Sequence, residues 1–194
     1  MGQLNPVLLD VGANTGSFSL LPCVVPGLSV VAFEPQRRCW EILNSNIRLN
    51  GIEKSVRALR LALSDRSGST QIKTPRDALA SGLATLGEKP LRFSDWVVED
   101  VPVSTLDAEV DGLALERVDL IKIDTEGHEL FVLRGAKETL RRFRPLVVAE
   151  VWPVNTAQNG YDSDMILSYM SSLGYLHRQI DDEDVLFYPS ECPA

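Results

Sequence analysis

A ten-residue stretch, Val7-Leu8-Leu9-Asp10-Val11-Gly12-Ala13-Asn14-Thr15-Gly16, constrains this chain more than any other. Its apolar first half reads as a buried strand, and the acidic residue and two glycines that follow close it into a loop. A Gly-rich turn lets backbone come close to a ligand, because no Cβ stands in the way. Ser17 to Leu21 reads as the start of a first helix, which Pro22 should end at about Leu21. Val30 to Phe33 reads as a second strand, with Glu34 and Pro35 at its end. A Gly loop followed about 20 residues later by a carboxylate is how a βαβ unit holds a nucleoside, the carboxylate accepting hydrogen bonds from ribose hydroxyls.

The spacing narrows the nucleoside. Dinucleotide sites use G-x-G-x-x-G, whose third glycine helps seat a pyrophosphate on the helix N-terminus. Here the pattern is Asp10-x-Gly12-x-Asn14-x-Gly16, with no third glycine and a carboxylate at the loop entrance. That carboxylate repels a pyrophosphate and attracts a cationic amino-acid end. S-adenosyl-L-methionine carries an ammonium and a sulfonium and no phosphate, so it is the expected cofactor. A nicotinamide dinucleotide is the alternative.

Composition limits the partners. The chain has 194 residues, 44% of them hydrophobic and 24% charged, which suits one soluble α/β domain over 1–194. Its formal net charge is −8 and its lysines and arginines form no run, so neither nucleic acid nor an anionic membrane is an expected partner. No apolar stretch approaches the ~20 residues of a membrane span, and no signal peptide is visible. Cys23, Cys39 and Cys192 are an odd set without C-x-x-C spacing, which fits a reduced, cytoplasmic setting. Nothing in the chain indicates an oligomeric state.

Strands and helices alternate along the remainder. Cys39, Trp40, Leu43 and Ile47 recur at helical spacing between Gln36 and Asn50, with Gly51 as a stop. Val56 to Leu63 is a third strand, and 69–106 reads as a β-rich excursion or lid whose middle, Ser81 to Pro90, is rich in Gly, Ser and Thr. Val118 to Ile123 forms a fourth strand, followed by Asp124-Thr125-Glu126-Gly127-His128-Glu129 and one helix carrying Leu130, Leu133, Ala136, Leu140 and Phe143. Pro145 to Val151 is nearly all apolar, as a strand covered on both faces should be. A helix through Met165 and Met170 stops at Gly174, and Tyr175 to Ile180 pairs with Val185 to Tyr188 in a closing hairpin. The architecture expected is a doubly wound, mostly parallel Rossmann-like sheet with a C-terminal antiparallel hairpin. Such sheets bind ligands beyond the carboxyl ends of their strands. The Gly12 loop, Glu34, the Asp124–Glu129 cluster and Glu150 all fall there.

These motifs together resemble the FkbM-type methyltransferases. The resemblance rests on Asp10 to Gly16, Phe33-Glu34-Pro35, Ala62 to Asp65, Ser104 to Asp107, Ile121 to Glu129 and Leu133 to Ala136. It implies a class I S-adenosylmethionine-dependent fold and methylation of a hydroxyl on a small sugar-like or secondary-metabolite acceptor. By the same resemblance the loop Asp10, Gly12, Ala13, Asn14, Gly16 holds the methionine part of the donor. Glu34, followed by Pro35, holds the ribose, and Ala62 lines the adenine pocket. Two departures accompany it: almost nothing precedes the first strand, and the first helix is shortened by Pro22. A donor-binding scaffold without catalysis is the alternative of another class.

Transfer to a hydroxyl gains most from positioning and a base for the displaced proton. Asp124 is the first candidate base or orienting group, with His128 its competitor and Glu126 beside them. Glu129 reads as a first-turn carboxylate complementing the helix dipole. A divalent metal is another reading of these carboxylates, but no further ligand set at a recognisable spacing joins them, so no metal site is assigned. Lys122, in an otherwise apolar strand, is expected to pair with Asp124. Trp152 and Tyr161 are expected either to wall the acceptor or to pack.

Overall fold

The computed structural model describes residues 5–75 and 96–192. Seven strands form the main sheet: β1 (Val7–Val11), β2 (Ser29–Phe33), β3 (Val56–Leu59), β7 (Leu120–Ile123), β8 (Leu146–Glu150), β9 (Tyr175–Gln179) and β10 (Asp184–Pro189). Their order is β3-β2-β1-β7-β8-β10-β9. The first five are parallel, and β10 runs antiparallel to both β8 and β9. The chain winds outward from β1 to β3 and then returns to lay β7 on the other side of β1. That reversal opens a crevice at the carboxyl ends of β1 and β7, where doubly wound sheets hold their ligands.

Strand alternation sorts the core into two faces. Leu9, Val11, Val31, Phe33, Ile121 and Ile123 point to one side, with the helices α2 (Leu106–Gly112), α3 (Glu129–Arg134), α4 (Lys137–Phe143) and α6 (Asp164–Ser172). Leu8, Val30 and Ala32 point to the other, against Leu43 and Ile47 of α1 (Arg37–Leu49). Cys39, Leu43 and Ile47 are buried at i, i+4 spacing, and the expected stop is present, with Gly51 at φ +66.

Several expectations change. The helix expected from Ser17 is absent: residues 14–20 are turns, ending in a 3-10 turn at Leu21–Cys23 with Pro22 at its start. Proline suits that position, lacking the N–H that a helix interior requires. The stretch 56–63 is two strands, because β4 (Ala62–Leu63) leaves the main sheet and pairs with β6 (Trp96–Ser104). Ala62 therefore begins β4 instead of ending the third strand. β6 also pairs antiparallel with β5 (Gly68–Pro75), giving a three-stranded sheet β4-β6-β5. These strands fall at the two ends of the expected excursion; its middle, Ser81 to Pro90, lies outside the described residues. The helix after Glu129 breaks at Gly135 and Ala136 into α3 and α4. Gly135 sits so near the Ser64 carbonyl oxygen that a Cβ would lie 2.0 Å from it. A helix not read from the sequence, α5 (Pro153–Gln158), follows β8. Among the described residues no helix is long and apolar enough to cross a membrane.

Candidate active site

The loop after β1 is shaped by contacts with its neighbours. Gly12 has φ +78, and a Cβ there would lie 1.8 Å from the Asp124 carbonyl oxygen. The glycine thus lets the β1 loop cross directly over the end of β7. The Gly12 and Ala13 N–H groups donate to the Phe33 carbonyl at 3.0 and 3.1 Å, tying the loop to β2. Gly16, at φ +107, backs onto Leu43 of α1.

Glu34 is the pin between the two loops. Its Oε2 accepts the Asn14 N–H at 2.8 Å and its Oε1 accepts the Gln36 N–H at 2.8 Å. It is buried, and that burial pushes its carboxyl up to about 7, against the pull of the two backbone donors. A carboxylate offers about four lone-pair sites, so two bonds leave it able to accept more. Asn14 is held at φ +49, and its Oδ1 is buried with no hydrogen-bond partner among the described residues.

Beside these residues lies an open cleft with about 710 Å³ of empty space, including its solvent-open mouth. Phe33, Leu61, Leu63 and Ile72 supply apolar wall. Asn14, Glu34, Asp124, Glu126 and His128 supply the polar part, and Gly12, Pro35 and Ala62 also line it. Asp10, Ala13 and Gly16 stand behind this wall. Asp10 is 2% exposed, accepts the Ser19 hydroxyl at 2.5 Å, and is raised to about 6 by burial, the Ser19 bond and the nearby Lys122 charge drawing it back.

The second polar group comes from the ends of β7 and β8. Lys122, 4% exposed, places its Nζ 3.6 Å from Asp124 and 3.3 Å from Asp184, and lies over the Phe18 ring. The expected pairing of Lys122 with Asp124 is present, with Asp184 as a partner that only the hairpin could deliver. Glu126 has φ +54 and reaches Asn155 on α5; burial, then the Glu150 and Asp124 charges, raise it to about 8. Glu129 is fully buried and turns back onto its own loop, accepting the Thr125 and Gly127 N–H groups at 2.9 and 3.1 Å and the Thr125 hydroxyl at 2.9 Å. It is thus a loop former more than a dipole partner.

His128 occupies the cap position of α3, stacked on Phe131 with centroids 4.6 Å apart. Its Nε2 lies 3.0 Å from the Ser64 hydroxyl, and burial lowers its pKa to about 4. The ring is therefore neutral at physiological pH. Tyr161 packs edge-on against Phe131 with its hydroxyl 3.4 Å from Glu129, which makes it core and not acceptor wall. Trp152 is 38% exposed at the start of α5. Among the described residues no group of His, Cys, Asp and Glu is arranged to hold a metal ion.

A crevice at the switch point, a buried carboxylate after β2 and an acidic turn after β7 coincide with a family signature. The Methyltransferase FkbM domain matches residues 10–176. The chain belongs to this family. Methyltransferase sdnD of Sordaria araneosa is 33% identical over 177 residues, covering 76% of this chain and 67% of that protein. The 2-O-methyltransferase NoeI of Sinorhizobium fredii is 32% identical over 151 residues, covering 72% and 61%. This FkbM-family chain thus spans about two thirds of the length of those relatives. Methyltransferase FkbM from Methylobacillus flagellatus has the same fold, with a TM-score of 0.61 at 18% identity over 96% of this chain and 45% of the solved one.

Proposed function

We propose that the chain is an S-adenosylmethionine-dependent methyltransferase acting on a hydroxyl oxygen of a small, polyhydroxylated acceptor. The observation that carries this reading is the Asn14–Glu34 corner: a buried carboxylate pinned by two backbone N–H groups beside an orphaned amide oxygen on the wall of the switch-point cleft. Glu34 accepts from ribose hydroxyls, Asn14 Oδ1 takes a donor it lacks among the described residues, and Phe33, Leu63 and Ile72 face the base. Asp124 and Glu126 suit a cationic end. Asp10 supports that end from behind the wall by its charge. The bound group supplies an electrophilic methyl on a sulfonium. The oxygen assignment draws on the similarity to NoeI, a 2-O-methyltransferase.

The residues of the chain then have distinct tasks. Asp124, held by Lys122 and half exposed at the cleft, orients the acceptor hydroxyl. Glu126, raised to about 8 and so mostly protonated at neutral pH in the ligand-free cleft, takes a hydroxyl proton once a neighbouring positive charge has ionised it. His128, neutral and fixed by Ser64, is a hydrogen-bonding group more than a base.

Calorimetric titration with S-adenosylhomocysteine, with NADH as the parallel ligand, tests the donor. Micromolar binding of the first and none of the second, lost in Glu34→Ala, is the expected result. Binding of NADH alone would overturn the reading.

A further inference from the structure

Asn155 is 7% exposed on α5, and its one amide nitrogen donates to two carboxylates, Glu126 Oε2 and Glu150 Oε2, each at 3.0 Å. An amide NH₂ has two hydrogens, so both bonds can be made at once. The surroundings fix this geometry. Asn159 Nδ2 donates to the Asn155 carbonyl at 3.1 Å and to the Glu126 carbonyl at 3.4 Å. Gly127, at φ +94, backs onto α5 so closely that a Cβ would lie 2.4 Å from the Asn155 carbonyl oxygen. Glu126 lines the cleft, while Glu150 ends β8, so the amide couples a cleft carboxylate to a second one at the rim.

We propose that Glu126 and Glu150, joined by Asn155, act as one proton-holding pair that reads the charge in the donor cleft, losing a proton when a sulfonium enters and regaining one when that charge disappears. This rests on the donor reading above. In methyl transfer the S–CH₃ bond breaks as the O–CH₃ bond forms, the sulfur becomes neutral, and the hydroxyl proton must go elsewhere. Glu126 is kept ionised while a cation is near, so it is ready to accept that proton. Once the cation is gone, it has no electrostatic reason to give the proton back. Glu126 is the catalytic group in this scheme, and Glu150 and Asn155 are positioning residues that act through it.

The local charges favour the device. Burial raises both groups, Glu126 to about 8 with the Glu150 and Asp124 charges adding to it and Glu150 to about 7 with Asp124, Glu129 and Glu183 adding, while the Asn155 bonds pull both down. The other groups facing the pair are Asp124 at the end of β7, Glu129 on α3 and Glu183 in the β9–β10 turn, all acidic. Lys122 on β7 is committed to Asp124 and Asp184. No cation pairs with Glu126 or Glu150 among the described residues, so an incoming positive charge is felt strongly.

Titrating the whole chain calorimetrically with S-adenosylmethionine and, separately, S-adenosylhomocysteine tests this without knowing the acceptor. The two ligands share their amino and carboxyl ends, so the ratio of their affinities isolates the sulfonium charge. That ratio should rise about tenfold between pH ~6 and ~9, with more proton release on binding of the cation across buffers of different ionisation enthalpy. Glu126→Gln should flatten the rise, which separates it from Asp10 and Glu34, raised into the same range. Glu150→Gln should move the midpoint to lower pH and Asn155→Leu to higher pH; a merely structural role would not give opposite shifts. If Asn155→Leu does not fold, Glu150→Gln decides alone. A flat ratio in the wild-type chain, a slope that survives Glu126→Gln, or no downward shift in Glu150→Gln would overturn the pair. Failure of both ligands to bind would bring down the donor reading itself, and this inference with it.

Discussion

The two halves of the cleft are built in opposite ways. On the β1–β2 side, Asn14, Glu34 and Gln36 lie in the loops that follow two successive parallel strands, and the buried carboxylate accepts from backbone donors at both oxygens. On the β7–β8 side, Asp124, Glu126 and Glu150 meet across distant segments, and their partners are side chains: Lys122, which Asp124 shares with Asp184, and Asn155. The first half is a rigid receptor whose shape follows from local chain geometry. The second is an electrostatic cluster whose protonation can change with what stands beside it. The difference teaches that donor recognition and proton handling are separable here, and substitutions should separate them.

The largest effect should come from removing the space both halves share. Gly12→Ala and Gly127→Ala put a Cβ onto backbone at positive φ, against Asp124 and Asn155 respectively. Each should cost at least about 3 kcal/mol, read as a large drop in Tm or insoluble expression. An unchanged Tm for either would mean that the loops slide apart readily and the halves are not braced against each other.

Glu34→Gln comes next. The amide can accept from one of the two N–H groups but turns its own NH₂ toward the other, so stability should fall by about 1–3 kcal/mol. S-adenosylhomocysteine affinity should fall about a hundredfold, equivalent to ~2.7 kcal/mol. Asn155→Leu should disturb that affinity far less while moving the pH behaviour of the other half. Equal losses of affinity in both variants would erase the proposed division.

Stability should also depend on pH with a definite sign. Asp10 at about 6, Glu34 and Glu150 at about 7 and Glu126 at about 8 all sit above their unfolded values, because burial disfavours the charge. The folded state holds their protons longer, so their contribution is complete below the ordinary carboxylate range and lost as pH rises through about 6 to 8. His128, lowered to about 4, has the opposite sign: its contribution is present above the ordinary histidine value of about 6.5 and lost below it. Tm of the ligand-free protein should therefore fall from pH ~6 to ~8.5, where His128 is already neutral. Glu34→Gln should remove part of the fall near 7 and Glu126→Gln the part near 8. A Tm that climbs over this range would contradict the burial of these groups.

The smallest change is expected from Ser64→Ala. It leaves His128 Nε2 without its 3.0 Å partner and should cost about 1 kcal/mol. Donor affinity should stay within about twofold, since each 1.4 kcal/mol is tenfold and Ser64 is not among the residues that line the cleft.

The sequence by itself determined the glycine loop after the first strand, the parallel sheet with its closing hairpin, and the acidic residues at the carboxyl ends of its strands. Asp10 to Gly16, Glu34 and Asp124 to Glu129 are short-range patterns of chain polarity and turn chemistry, legible because strand alternation and glycine placement act over neighbouring residues. Lys122 was legible as well, since a lone cation in an apolar strand demands a partner. Only the tertiary structure decided the rest. Ser17 to Leu20 had the composition of a helix, yet the chain turns there so that Ser19 can cap Asp10 and Phe18 can cover Lys122. The tract 56–63 read as one strand until Ala62 and Leu63 found β6 instead. Tyr161 could be read as acceptor wall or as packing and is core, and Asn155 carried no visible signal at all. The reason is physical: a hydrogen bond between residues 29 apart, such as Asn155 to Glu126, leaves no periodicity in the chain. Its geometry exists only once the β-strands that carry both ends have been paired.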